Sequence, residues 1–276
     1  GKILLFFEIF GGKKMVLQQG VEFLGIVVSR KDYKERDMLV KILTDKYGFK
    51  TFFVRGVRKR GFKLGAAILP FTHGTYLGSI SDEGLSFITT TRDISQYQQI
   101  TQDIELNAYA SYILSLIERA LTTEDLVNLG WFLRVKKALE LIDDGFDPAI
   151  ITNIIEIQLL ASFGVRPQLE SCVICQNTTR AFDYSESYGG LLCQAHWHLD
   201  PYRLHLDKRT VYYLRLLSVV DLNRLNSIKV KEQTKINLRK ALDTIYEHQV
   251  GIYVPAKQFL DQMSSWDQTL KTDKKN

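Results

Sequence analysis

Between Phe23 and Thr90 the apolar positions recur in short runs, broken by glycines, at the period of a pleated strand. Phe23–Arg30 is rich in Ile and Val. Asp37–Thr44 alternates, with Met38, Val40 and Ile42 on one face. Phe49–Arg55, Phe71–Ile80 and Leu85–Thr90 complete a predicted set of five strands. Gly48, Gly61, Gly74 and Gly84 punctuate them, and Asp82-Glu83-Gly84 reads as the hairpin connection between the last two. Five short strands in about 70 residues suit a small closed barrel, and the OB-fold is one such solution.

After Arg92 the period lengthens. Tyr109, Ile113, Leu116, Ile117 and Ala120 follow helical spacing, as do Phe132, Val135, Leu139 and Ile142. The stripe made with Tyr112 reads as core rather than as a docking groove. Asp147-Pro148 has the form of a cap followed by proline at the first helical position, opening a helix through Ile150, Ile154, Ile157 and Ala161 that Gly164 and Pro167 end. The stretch 171–200 is loop-like. Helical spacing returns at Val211, Leu214 and Leu217, and again at Leu238, Leu242 and Ile245 before Gly251. The pattern predicts an α+β protein: an N-terminal five-stranded OB-fold barrel over 15–95, then an α-helical domain over 96–265 with an embedded zinc-binding module at 171–200. A polar, disordered tail is expected over 266–276. Residues 1–14 are expected to be a non-native or disordered extension. Gly11-Gly12-Lys13-Lys14-Met15 is what a purine-rich ribosome-binding site and its start codon encode when read through, and it points to Met15 as the initiator.

The chain has 276 residues, 45% of them hydrophobic and 24% charged, which excludes a disordered polymer. No apolar run approaches the roughly 18–20 residues of a membrane span. Charge changes the picture more through its placement than its sum. Of a net +5, residues 15–93 carry 13 Lys+Arg against 8 Asp+Glu, whereas the stretch from 94 onward carries 20 against 22. The front third is therefore a candidate polyanion-binding surface. Its densest segment, Arg55-Gly-Val-Arg58-Lys59-Arg60-Gly-Phe62-Lys63, has five positive charges and no acid. Arg30, Lys31, Lys34 and Arg36 form a second group between the first two strands. Tyr33 and Phe62, inside these segments, are the candidate stacking aromatics, since single-strand binding by an OB-fold combines a basic groove with exposed rings.

The three cysteines, Cys172, Cys175 and Cys193, are clustered and odd in number, which argues against a disulfide framework and for a reducing compartment. With His196 they spell C-x2-C-x17-C-x2-H, the paired-knuckle pattern of a tetrahedral zinc site. His198 is the competing fourth ligand. Four ligands in place describe one structural ion, because catalytic zinc keeps a position open for water. A nucleic-acid deaminase needs H-x-E before P-C-x-x-C, and no H-x-E occurs. Phosphate-binding, nucleotide-binding, metalloprotease and serine-hydrolase motifs are also missing, and His73, His205 and His248 are isolated in sequence.

Read together, these segments resemble the bacterial recombination mediator RecO over about Gly20 to Met263. The resemblance is carried by Gly25-Ile-Val-Val, Asp32-Tyr33 with Glu35, Arg55-Gly-Val-Arg-Lys59, Pro70-Phe71 with Gly74 and Asn107-Ala-Tyr-Ala. It continues through Leu169-Glu-Ser-Cys172, Gly189-Gly190 and Asp200-Pro-Tyr-Arg203, with Gln258-Phe-Leu-Asp-Gln262 as a looser match. It implies a non-enzymatic cytoplasmic, nucleoid-associated protein of the DNA-damage (SOS) response and the RecFOR pathway. Such a protein binds single- and double-stranded DNA, anneals complementary strands, and works with RecR and in some members RecF. It also interacts with single-strand-binding protein and helps load RecA. By match of position Arg55, Arg58, Lys59, Arg60 and Lys63 would contact DNA, and Cys172, Cys175 and Cys193 would hold zinc, with His196 standing where the family more often has cysteine. Two other readings of the same modules stay open: an RNA-binding accessory factor, and a zinc-dependent hydrolase acting on nucleic acid.

Overall fold

The computed structural model describes residues 5–10 and 13–263, with side chains from Leu17 onward. The N-terminal sheet contains β1 (Leu5–Phe10), β2 (Lys13–Tyr33), β3 (Asp37–Thr44), β4 (Gly48–Val54), β5 (Thr72–Ser81) and β6 (Phe87–Gln96). The strands lie in the order β4-β3-β2-β5-β6, all antiparallel, with β1 paired to the start of β2. The two outer strands of that path meet through a parallel bridge between Phe52 and Ser86. There Phe53 N–H donates to the Ser86 carbonyl at 2.8 Å and Ser86 N–H to the Thr51 carbonyl at 2.9 Å. This is the partly open five-stranded barrel of the OB type.

β2 serves both neighbours because it bends. Its register slips between Gln18 and Val21 against β5, where Gly20 takes a φ of +66°, and between Val27 and Ser29 against β3. Such bulges add twist and let one strand cross from one half of a barrel to the other. Phe23 lies stacked between Phe52 (5.5 Å) and Tyr76 (5.9 Å), with Val27, Val40 and Ile42 around them. The short 3-10 turn Ala66–Ile68 plugs one end, and the buried Tyr76 hydroxyl donates to the Ala67 carbonyl at 2.7 Å. The predicted strand Asp37–Thr44 is observed with the same ends. The first predicted strand is longer in the structure and the fifth runs later, because Gln18, Thr90 and Thr91 pair through the backbone and leave no apolar alternation to read. Leu5–Phe10 pair antiparallel with Lys13–Gln18, within the stretch expected to be a non-native or disordered extension, as suits an apolar, aromatic run. Residues 1–4, 11–12 and 264–276, including the tail expected at 266–276, lie outside the described residues.

The helices are α1 (Gln98–Gln102), α2 (Ile104–Ala120), α3 (Thr123–Asn128), α4 (Trp131–Asp143), α5 (Pro148–Leu159), α6 (Lys208–Val219) and α7 (Glu232–Ile245). Strands give way to helix at 97–98. The compact units divide elsewhere: one holds the barrel with residues up to Leu114 and Leu121–Asp144, the other Ser115–Ala120 and the chain from Gly145. In the first unit, Asp143 at the end of α4 accepts from the Gln98 and Ile100 N–H groups at the start of α1. In the second, α5 is buried on every face from Ile150 to Ile157 and packs against α6 and α7. Its carboxylate Glu156, fully buried, is met by Arg239 of α7 at 2.7 Å. Asp147 caps α5 as predicted, accepting from Ala149 N–H at 3.0 Å.

Candidate nucleic-acid interface and metal centre

The two cationic segments are brought to one place in the first unit. β2 ends at Tyr33 and β3 begins at Asp37, while β4 ends beside them at Val54, paired with Met38. The chain leaving β4 is tied back to the β2–β3 turn: Val57 N–H donates to the Arg36 carbonyl and Gly56 N–H to the Asp37 carboxylate, each at 2.9 Å. Arg30, Lys31, Lys34, Arg36, Arg55, Arg58, Lys59, Arg60 and Lys63 are all exposed. Arg58 meets Asp32 at 3.2 Å, with both side chains 59% exposed. A pair so wet is worth at most about 1 kcal/mol and exchanges readily for a phosphate.

Aromatic rings are interleaved with the charges. Lys34 lies over the Tyr33 ring at 5.5 Å, Tyr33 meets Phe53 edge-on at 5.6 Å, and Arg55 lies over Phe53 at 5.4 Å. Tyr33 is 37% exposed. Phe62, the other sequence candidate, differs: it is half-buried and packs inward against the barrel core. Sequence reasoning missed Phe53 and Phe87, whose rings meet edge-on at 6.2 Å. Both read as ordinary strand residues until the barrel curvature brings them under the loop.

The second unit carries the metal-ligand cluster. β7 (Phe182–Ser185) and β8 (Gly190–Cys193) form the hairpin between the knuckles. The first knuckle is a tight turn in which Gln176 N–H returns to the Cys172 carbonyl at 2.9 Å with Gln176 at a φ of +58°. It is stitched to β8 by Val173 N–H donating to the Leu191 carbonyl at 2.9 Å. Beneath the hairpin, buried Asp183 accepts from the His205 and Leu206 N–H groups and pairs with Arg203, which lies over the Trp197 ring at 5.1 Å. This gives a physical role to the arginine of Asp200-Pro-Tyr-Arg203.

The donor atoms of Cys172, Cys175, Cys193 and His196 all lie within 4.8 Å of one another, the one such cluster among the described residues. Cys175 Sγ is 3.7 Å from Cys193 Sγ, and His196 Nδ1 is 3.3 Å from Cys193 Sγ and 3.6 Å from Cys172 Sγ. Tetrahedral zinc with its usual bond lengths has S···S edges of about 3.8 Å and S···N edges of about 3.5 Å, so the donor set fits. His198, the alternative donor, is exposed and its ring centre stands 6.4 Å from that of His196. Burial opposes ionisation of Cys172, but N–H groups of Cys193, Cys175 and Ile174 and the His196 ring outweigh it and hold the thiol down at about 6. Cys193 is lowered too, against its burial, chiefly by His196. Cys175 goes the other way: the Asn177 N–H favours its thiolate, but burial and the neighbouring Cys193 and Cys172 sulfurs outweigh it and raise the thiol, so the protein by itself favours the thiolate that metals need at Cys172 and Cys193.

Comparison with known proteins agrees with both units. Residues 19–97 match the family model described as recombination protein O N terminal, and residues 101–258 the one described as recombination protein O C terminal. The N-terminal model stops where the strands stop, while helices α3 and α4 fall within the C-terminal one although they group with the barrel in one compact unit. The DNA repair protein RecO of Ligilactobacillus salivarius is 62% identical over 256 residues, covering 92% of this chain and 98% of that one. The RecO proteins of Levilactobacillus brevis and Enterococcus faecalis are 55% and 45% identical, each over 91% of this chain and 96% and 95% of theirs. No described helix is long and apolar enough to cross a membrane. Matched by both family models and by relatives along nearly their whole length, the chain belongs to the RecO family of DNA repair proteins.

Proposed function

We propose that this chain is a recombination mediator that works by binding rather than turnover. Its cationic arc neutralises phosphates of single- and double-stranded DNA, lowers the repulsion between complementary strands and so promotes annealing. With RecR, and in some settings RecF, it helps load RecA onto strands coated by single-strand-binding protein, at the nucleoid. Cys172, Cys175, Cys193 and His196 would hold one structural zinc ion. Zinc there would supply cross-linking energy to a hairpin with little core of its own.

The observation that carries this reading is the joining of two cationic segments by the Val57–Arg36 and Gly56–Asp37 bonds into one exposed surface. Five phosphate contacts by Arg55, Arg58, Lys59, Arg60 and Lys63 give a salt slope of about −3.5 on a single strand. Affinity then falls roughly a hundredfold between 50 and 200 mM salt. Replacing Arg58, Lys59 and Arg60 by alanine lowers the slope to about −1.4 and should abolish strand annealing at moderate salt. Unchanged annealing by the triple variant overturns the assignment. A clear preference for RNA at equal salt would favour the accessory-factor reading instead.

A further inference from the structure

We infer that the seam of the barrel beneath the cationic arc takes one unstacked nucleobase, so that a single strand is held by base insertion as well as by its phosphates; this rests on the DNA-binding reading above. Beside the Phe52–Ser86 bridge, where β4 meets β6, lies a cavity of about 390 Å³ lined by Phe53, Arg55, Phe62, Ser79, Phe87 and Ile88 among others. Three features make a base its occupant. Its walls are aromatic: Phe53 and Phe87 stand at 84° to each other, so a flat guest stacked on one ring meets the positive edge of the other. Its rim is cationic. Arg55 and Phe62, the two ends of the basic loop, both line it, and the arc Arg58-Lys59-Arg60 runs between them. A strand whose phosphates follow that arc therefore carries its bases past the opening. Finally, Ser79 and Gln19 line the cavity beside the rings and offer polar groups to a base edge. The space is ample for one base, a purine being a fused bicycle like indole and a pyrimidine smaller.

The consequence is discrimination. Exposed lysines and arginines hold single and double strands alike, because both are phosphate polymers. A paired base enters the seam only after unpairing and unstacking, which costs a few kcal/mol. The seam therefore strengthens single-strand binding and leaves duplex binding to the charges. A base stacked on an aromatic side chain is worth roughly tenfold to a hundredfold in affinity.

The test measures binding of an oligodeoxythymidylate, the same strand carrying abasic residues, and a duplex of equal length by fluorescence anisotropy. The unmodified chain should bind the abasic strand roughly tenfold to a hundredfold more weakly than the normal strand, an arm that needs no variant. Ser79→Leu, which fills the cavity, and Phe87→Ala, which removes a wall, should lower affinity for the normal strand by a similar factor while duplex affinity stays within about twofold. Thermal unfolding of each variant identifies any that fails to fold, and such a variant is replaced by Phe87→Leu. Equal binding of normal and abasic strands, or equal losses on single and double strands, overturns the inference. If the Arg58/Lys59/Arg60 triple alanine variant binds both polymers as tightly as the parent, the assignment of phosphate contacts to the arc fails instead.

Discussion

A methyl group added at Gly190 should unpick the metal module from a distance. Gly190 opens β8 and bridges to Gln168, and a Cβ there would lie 2.5 Å from the Gln168 carbonyl oxygen and 2.9 Å from its nitrogen. Ordinary contact begins at 3.4 Å, so the Gln168 strand must retreat by about 0.9 Å. Two backbone bonds stand in the way, Gln168 N–H to the Gly189 carbonyl and Leu191 N–H to the Gln168 carbonyl, each 2.9 Å, and a retreat of that size breaks both. Overpacking costs about 1–3 kcal/mol and each of the two lost bonds about 1 kcal/mol, so Gly190→Ala should destabilise its unit by roughly 3–5 kcal/mol. In a unit of this size that corresponds to a melting temperature lower by roughly 10 °C. Gln168 leads within four residues to Cys172, so the first knuckle is displaced with it and metal affinity should fall. The assay is thermal unfolding with and without a chelator, alongside metal content of the purified chain. A variant that melts within a degree or two of the parent with full metal content refutes the reasoning.

Other consequences follow from particular contacts. Asp32→Asn releases Arg58 and removes an opposing charge from the arc, so single-strand affinity at low salt should rise by about twofold to tenfold; anisotropy that shows weaker binding would contradict this. Arg239→Ala strands the buried Glu156 carboxylate and should cost about 3–5 kcal/mol in urea unfolding, far more than alanine at exposed Arg224. Burial opposes ionisation of Asp207, but the Thr210 hydroxyl and N–H, Asn237 and Arg209 outweigh it and hold the carboxyl below its ordinary 3.8. Its folded value is depressed, so its contribution is present above pH 3.8 and is lost as pH falls through the folded value. Asp207→Asn should therefore flatten the acid limb of a stability–pH curve in that range.

How much of this was legible in the sequence depended on whether the signal was local. Met38, Val40 and Ile42 share one face and Asp37 and Thr44 bound the apolar run, so β3 could be read to the residue. Asp147-Pro148 states its cap in two adjacent letters, and the knuckles state theirs by spacing. The seam was illegible, because Phe53, Phe62 and Phe87 meet only after the sheet curls and Phe52 bridges to Ser86. Arg203 was visible as part of a motif, but its partner Asp183 lies on the far side of the hairpin and no spacing rule connects them. Of the helices beside the barrel, α4 was legible from its spacing, whereas α1 and α3, five and six residues long, are too short to show a period, and the bond that ties α4 to α1, Gln98 N–H to Asp143, is one that no periodicity encodes.

The proposed mediator must grip a strand and also let it go, and the form of the arc suits both demands. Backbone bonds from Val57 and Gly56 to the β2–β3 turn fix where the loop runs, so less chain entropy is lost when phosphates dock. The charged ends themselves stay exposed, with Arg58 resting on a wet carboxylate. Each contact is then weak and strongly screened at physiological salt, where the Debye length is about 8 Å. Buried, fully paired arginines would bind more tightly but release slowly, because most differences in affinity appear in the dissociation rate. An arc of five exposed cations instead trades phosphates one at a time, as a protein that brings two strands together and then leaves the duplex needs to do. Mutations that bury or neutralise the counter-charge at Asp32 should therefore tighten binding and slow annealing together. If tighter binding came with faster annealing, release would not be the limiting demand and this account of the arc would fail.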